Sequence, residues 1–241
     1  MALRTITYKG VAYPVAYDLI NPRNEQKVLF LHGWGSNRSL MRQAFEKAFA
    51  PAAQLYVDMP GFGKSPSDSI LTTHNYVEII RMFLNDLQWD PDMILGHSFG
   101  GKVATLLEPK HLVLLSSSGI VPPKPLKVRI KIRIFKLLKK LGLGSFYRFF
   151  ATKDVEGMPK NMYETLKNVV DEDFTEVFAA FGNRATLFWG ISDTATPLAS
   201  GQTIAGLIQG ARFFPMEGDH YFFLDKGDRI AGELLEGVSE A

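Results

Sequence analysis

Short runs of apolar residues alternate with longer amphipathic stretches along most of this chain. Val28-Leu29-Phe30-Leu31 is apolar at every position. Gln54-Leu55-Tyr56-Val57, Met93-Ile94-Leu95, His111-Leu112-Val113-Leu114-Leu115, Ala185-Thr186-Leu187-Phe188-Trp189 and Ala211-Arg212-Phe213-Phe214-Pro215 share that character. Runs of this length without polar alternation suit strands covered on both faces. Between them, helices are predicted over residues 39–49, 73–87, 200–208 and 229–235. Near the start, residues 3–8 and 11–18 flank Lys9-Gly10 and read as a hairpin. Strands alternating with helices predict a mostly parallel sheet with helices on both faces. In such sheets chemistry gathers at the carboxyl ends of the strands.

The rhythm breaks between residues 120 and 181. Pro122, Pro123 and Pro125 stop any continuing element. A basic stretch follows, from Lys124 through Lys140 to Arg148, with no acidic residue before Asp154. Ile130, Ile134, Leu137, Leu138 and Leu141 fall at helical spacing. The expected organisation is a core of residues 1–119 and 182–241, interrupted by an inserted helical cap at 120–181. The basic residues read first as a solvated helix face. The alternative is attraction of anionic substrates or, less favoured, an anionic membrane surface. Phe146 and Phe150 are candidates for lining a substrate pocket.

Composition narrows the class without naming it. The chain has 241 residues, 46% hydrophobic and 22% charged, a globular profile. A net charge of +2 gives no reason to expect a nucleic-acid partner. There is no cysteine, so disulfides, thiolate metal sites and cysteine nucleophiles are excluded. Residues 1–7 lack the apolar core of a signal peptide, and no apolar run approaches the roughly 20 residues that cross a bilayer. A soluble cytoplasmic protein is the expectation.

The chemistry is most legible at Gly96-His97-Ser98-Phe99-Gly100, which follows a predicted strand and precedes a predicted helix. A serine in G-x-S-x-G at a strand-to-helix turn presents its hydroxyl for attack. Serine needs a base, and the base needs an orienting carboxylate. Asp193 follows the strand around Leu187, and His220 follows the strand around Phe213. Both therefore fall at the same sheet edge as Ser98. Asp219 and Asp225 are weaker candidates for the acid. Attack on a carbonyl also creates an oxyanion; backbone N–H groups of Phe99 and Trp34 are the expected donors. His97 is read as structural, and His32, Asp58 and Ser65 as supports of their loops.

With His32-Gly33-Trp34-Gly35, Asp58-Met59-Pro60-Gly61-Phe62-Gly63-Lys64-Ser65, Gly96-His97-Ser98-Phe99-Gly100-Gly101 and the Asp193 and His220 loops in this order, the chain resembles the α/β-hydrolase superfamily, in particular its small cap-bearing, esterase-like members. The resemblance covers residues 25–225. It implies a Ser98–His220–Asp193 triad, Phe99 and Trp34 as oxyanion donors, and neither metal nor organic cofactor. It departs from the usual pattern between Gly101 and His111, where there is room for barely two helical turns.

The expected activity is hydrolysis of a small to medium carboxylic ester through an acyl-enzyme. C–C bond, thioester or amide cleavage by the same triad is the alternative. A catalytically silent binding or membrane-peripheral protein is the reading from a different class. Dehalogenase or epoxide-hydrolase chemistry needs a carboxylate where this chain has Ser98.

Overall fold

The protein is described from a computed structural model, over residues 1–121 and 158–235. Its centre is an eight-stranded sheet with the order β1-β2-β4-β3-β5-β6-β7-β8. β1 (Ala2–Tyr8) and β2 (Val11–Ile20) form an antiparallel hairpin whose register pairs Tyr8 with Val11. The two residues between them, Lys9 and Gly10, have φ of 49° and 79°. Two consecutive positive φ angles define the hairpin turn whose twist matches that of the strands. β2 also pairs antiparallel with β4 (Ala53–Val57). From there the sheet is parallel, through β3 (Lys27–Leu31), β5 (Met93–His97), β6 (His111–Leu115), β7 (Arg184–Gly190) and β8 (Arg212–Met216).

The unbroken apolar runs follow from this position. Alternate side chains of one strand enter two separate cores. Leu29, Leu31, Ile94, Leu112, Leu114 and Leu187 pack on one face, with α2 (Thr73–Asp86) and α3 (Phe99–Leu106). Val28, Phe30, Leu95, Val113, Leu115 and Phe188 pack on the other, with α1 (Arg38–Phe45) and the last helix of the described chain. All twelve are at most 2% exposed. Neither face is left for water, so polar alternation would be penalised.

Helix limits differ from expectation by two or more residues at three ends. α1 stops at Phe45; residues 46–50 wind on as turns, with Phe49 N–H donating to Phe45 C=O, until Pro51. α2 begins behind a reciprocal cap between Thr72 and Asn75. α3 has eight residues and ends before Glu108-Pro109, with Glu108 at φ 55°. Between β6 and β7 lie α4 (Lys160–Val169) and α5 (Thr175–Ala180). α6 (Leu198–Leu207) starts directly behind Pro197, two residues earlier than its spacing predicts, and α7 (Gly227–Leu235) starts at Gly227.

α4 is fastened to the loop between β4 and α2. Thr165 Oγ1 accepts from Leu71 N–H at 3.0 Å, and Asn168 and Asn161 donate to the carbonyls of Leu71 and Ser67. Lys102, on α3 and 1% exposed, adds an ion pair with Glu172 at 3.0 Å and donates to Val169 C=O. Its ammonium also lies over the Phe174 ring, 5.1 Å from the centroid. The residues following Ser98 are thus tied to the segment between β6 and β7. Among the described residues no helix is long and apolar enough to cross a membrane.

Candidate active site

Three loops at the carboxyl edge of the sheet converge around Ser98. The first is the turn between β5 and α3. Ser98 has φ 51° and ψ −114°, a sparsely populated combination for any residue with a side chain. Hydrogen bonds hold it there: Ser98 N–H donates to Leu115 C=O at 3.1 Å, and Ser98 C=O accepts from Gly101 and Ser118 N–H. The glycines on either side are required by contact. A Cβ on Gly96 would lie 2.4 Å from Gly100 O, and one on Gly100 would lie 2.5 Å from the carbonyl oxygens of Leu31 and His32. Ser98 therefore stands where α3 begins, beside the positive end of a helix dipole.

The second loop follows β3. A Cβ on Gly33 would lie 3.1 Å from Ser98 Cβ, which places this loop against the turn. His32 is fully buried and braces it: Nδ1–H donates to Gly33 C=O at 2.7 Å and Nε2 accepts from Met59 N–H at 3.1 Å. Burial lowers the His32 pKa, which favours the neutral ring this pattern needs. Trp34 packs edge-on against Phe62 and Phe99 at 4.9 and 5.7 Å. Asp58 organises the next loop, accepting from the backbone N–H groups of Arg38 and Lys64 and pairing with the Arg38 guanidinium. Ser65 donates to Asp58 C=O and accepts from Ala16 N–H. The hydrogen bonds of His32, Asp58 and Ser65 thus shape their loops.

The third element is the pair of loops after β7 and β8, which are zipped together. Ile191 N–H donates to Met216 C=O and Ser192 N–H to Gly218 C=O. The approach is so close that a Cβ on Gly190 would sit 2.1 Å from Asp219 O. Across this seam, Asp193 Oδ2 accepts from His220 Nδ1 at 2.7 Å, between residues 27 apart in sequence. The Asp193 side chain is fully buried and that of His220 is 17% exposed. Asp193 Oδ1 also accepts from Ala195 and Thr196 N–H at 2.8 and 2.9 Å. Burial works against the Asp193 charge, but the hydrogen bonds from His220, Thr196 and Ser116 outweigh it and hold the carboxyl well below the usual carboxylate range. An ionised partner on Nδ1 fixes the proton there and leaves Nε2 as the acceptor.

The structure thus brings Asp193 and His220 into direct contact, and sets Ser98 one residue from His97, whose ring lies 4.6 Å from that of His220. Ser98 Oγ makes no hydrogen bond to His220 among the described residues; such contacts commonly tighten only when substrate is bound. Asp219 caps Tyr221 N–H and Asp225 pairs with Lys226, so both weaker acid candidates are engaged elsewhere. Phe146, Phe150 and the basic stretch lie outside the described residues. Among the described residues, no group of three or more His, Asp or Glu is arranged to hold a metal ion.

Thr196 and Ser116 are site residues that the sequence pattern did not single out. Thr196 Oγ1 lies 2.8 Å from Asp193 Oδ2 and 3.0 Å from Ser116 C=O. Ser116 Oγ accepts from Gly190 N–H at the end of the neighbouring strand. The signal that could have found Thr196 is its spacing from the acid: a hydroxyl three residues after an Asp in a turn is well placed to bond back to it. A cavity of about 250 Å³ opens beside Ser98, lined in part by Ser117, Ser118, Ile120, Val170, Ala195 and Pro197.

Comparison with known proteins agrees with this architecture. The model of the alpha/beta hydrolase family matches residues 28–236, and the chain belongs to that family. A serine hydrolase-like protein of Danio rerio is 30% identical over 110 residues, 42% of this chain and 34% of that protein; the chain thus matches about a third of its length. A pimeloyl-[acyl-carrier protein] methyl ester esterase of Neisseria meningitidis is 24% identical over 250 residues, covering 90% of this chain and 96% of that one. The structure of a thermophilic esterase from Thermogutta terrifontis superimposes with a TM-score of 0.74 at 17% identity, covering 100% and 99% of the two chains, and shows the shared fold.

Proposed function

We propose that this protein is a serine hydrolase acting on small to medium carboxylic esters, with Ser98, His220 and Asp193 as its triad. The observation that carries the reading is the 2.7 Å hydrogen bond between buried Asp193 and His220 Nδ1, at the same sheet edge as the strained turn of Ser98. In this reading His220 Nε2 takes the Ser98 proton as Oγ attacks the substrate carbonyl. Asp193 holds the ring in the tautomer that presents Nε2 and stabilises the imidazolium that forms. Backbone N–H groups of Phe99 and Trp34 receive the oxyanion. The leaving alkoxide takes the proton back from His220, and water then attacks the acyl-enzyme by the reverse sequence.

The size of the substrate is argued from the cavity beside Ser98. Its volume of about 250 Å³ is at or below the lower end of pockets that hold drug-sized ligands. Its lining mixes serine hydroxyls with Ile120, Val170 and Pro197, which suits a short chain carrying some polarity. Val170 and Asp171 reach it from between α4 and α5. That supports reading residues 158–181, the described part of the expected 120–181 insertion, as covering the site. The match to a methyl ester esterase over nearly the whole of both chains favours an ester over the C–C and thioester alternatives.

The test is Ser98→Ala together with covalent labelling. Wild-type protein is expected to hydrolyse short p-nitrophenyl esters and to be labelled at Ser98 by a fluorophosphonate. The variant is expected to lose both while keeping its melting temperature. Full activity in folded Ser98→Ala protein would reject the assignment.

A further inference from the structure

His97 is a buried histidine that the proposed chemistry does not use. It is 1% exposed and is the last residue of β5, immediately before Ser98. Its Nε2 lies 3.0 Å from the carbonyl oxygen of His220. A carbonyl only accepts, so Nε2 carries the proton and the neutral ring has a bare Nδ1. That Nδ1 is buried and has no hydrogen-bond partner among the described residues. It faces the loop after β3, where a Cβ on Gly33 would come within 2.8 Å. The ring also packs 4.6 Å from His220, 5.3 Å from Tyr221 and 4.7 Å from Phe223. One side chain therefore touches the β3 loop and the β8 loop while its own backbone leads into the serine turn.

We infer that His97 is a positioning residue: its Nε2–H fixes the backbone of His220, and so sets where the His220 imidazole stands relative to Ser98. The inference rests on the triad reading above and goes beyond it. The choice of residue argues for it. A leucine, methionine or phenylalanine would fill the same space without burying an unpaired nitrogen, and a buried polar atom left without a partner calls for an explanation. What an apolar side chain does not offer is a donor for the His220 carbonyl. Burial also pushes the His97 pKa down to about 3, so the ring keeps the single-proton form that this contact requires at neutral pH. Catalytic groups must be held within fractions of an ångström by their neighbours, and a displacement of about 1 Å lowers a rate on the order of 10²-fold.

The experiment compares variants that separate the donor from the bulk. His97→Leu and His97→Met remove the N–H and keep an apolar filling; His97→Gln keeps an amide N–H in reach of the same carbonyl. With a short p-nitrophenyl ester, the donor-free variants are expected to lose 10- to 100-fold in kcat with KM within about threefold. Their fluorophosphonate labelling rates are expected to fall in step. His97→Gln is expected to recover to within about fivefold of wild type. Melting temperatures are recorded for all three, and two donor-free variants guard against one failing to fold. Equal losses in His97→Gln and the donor-free variants, losses that follow the melting temperature, or a donor-free variant with wild-type kcat would each overturn the inference. Failure of the triad reading is distinguishable, because it appears in the wild type as absent labelling of Ser98.

Discussion

The Thr196 hydroxyl lies 2.8 Å from Asp193 Oδ2 and 3.3 Å from His220 Nδ1, at the junction of the acid and the imidazole. It closes the side of the carboxylate that the backbone N–H groups of Ala195 and Thr196 leave open. Thr196→Val keeps the shape and removes this hydrogen bond. Hydrogen bonds to charged groups contribute about 1.5–3 kcal/mol, part of which is felt only as the imidazolium forms. The expected outcome is a fall in kcat of about tenfold with little change in KM, measured by steady-state ester hydrolysis.

Buried histidines predict the acid side of the stability profile. Burial depresses His97 to about 3 and His111 to about 4. In the unfolded chain both take a proton near pH 6.5, whereas in the folded chain they stay neutral. Between those limits the unfolded state binds more protons, so stability falls as pH falls. The loss begins near pH 6.5 and levels off below the folded values. By pH 5 each histidine accounts for roughly 2 kcal/mol. Urea unfolding at pH 7.5 and 5.0 is expected to show the drop, and His111→Gln is expected to reduce it.

The Lys102–Glu172 pair predicts a pattern in a double-mutant cycle. Lys102 is buried and burial lowers its pKa, while Glu172 is 27% exposed on its side chain. Glu172→Gln leaves the ammonium without its counter-charge, at a cost of about 3 kcal/mol. Lys102→Met with Glu172→Gln removes both charges and is expected to recover most of that loss. Equilibrium unfolding of Glu172→Gln, Lys102→Met and the double variant checks the sign.

Two glycines are expected to respond oppositely to alanine. Gly96→Ala drives a methyl group to within 2.4 Å of backbone at the serine turn. No flexible side chain is there to yield, so insoluble or inactive protein is expected. Gly206 lies in α6 with nothing within 4 Å of a new Cβ. Gly206→Ala is expected to stabilise by about 0.5–1 kcal/mol, read as a raised melting temperature with unchanged activity.

Most of the framework was legible because each sheet residue answers to two cores. Val28 to Leu31 admits no polar position, and the Lys9-Gly10 turn names its own geometry. Asp193 and His220 were legible because each follows a strand end, and parallel strands deliver their loops to one edge. Helix ends were less so: nothing in the spacing stops α1 at Phe45 or starts α6 at Leu198. Ser116 and Lys102 stayed hidden for a different reason. Their partners come from sheet register and from a helix about 70 residues away, as with Lys102 and Val169. Local pattern carries no record of such pairings. His97 sat inside the most conspicuous motif, yet its bond to His220 spans 123 residues.

The parallel pairing of β6 with β7 joins His111 to Arg184, and β8 adds only after that. A polypeptide emerging from the ribosome with its first 200 residues exposed holds Ser98 but has yet to extrude His220. A nascent chain of that length displays a half-finished sheet with β7 as an open margin, waiting on β8. In the triad reading the hydrolase cannot act before β8 and the loop that follows it are in place, and truncations that remove β8 are expected to yield sticky, inert protein.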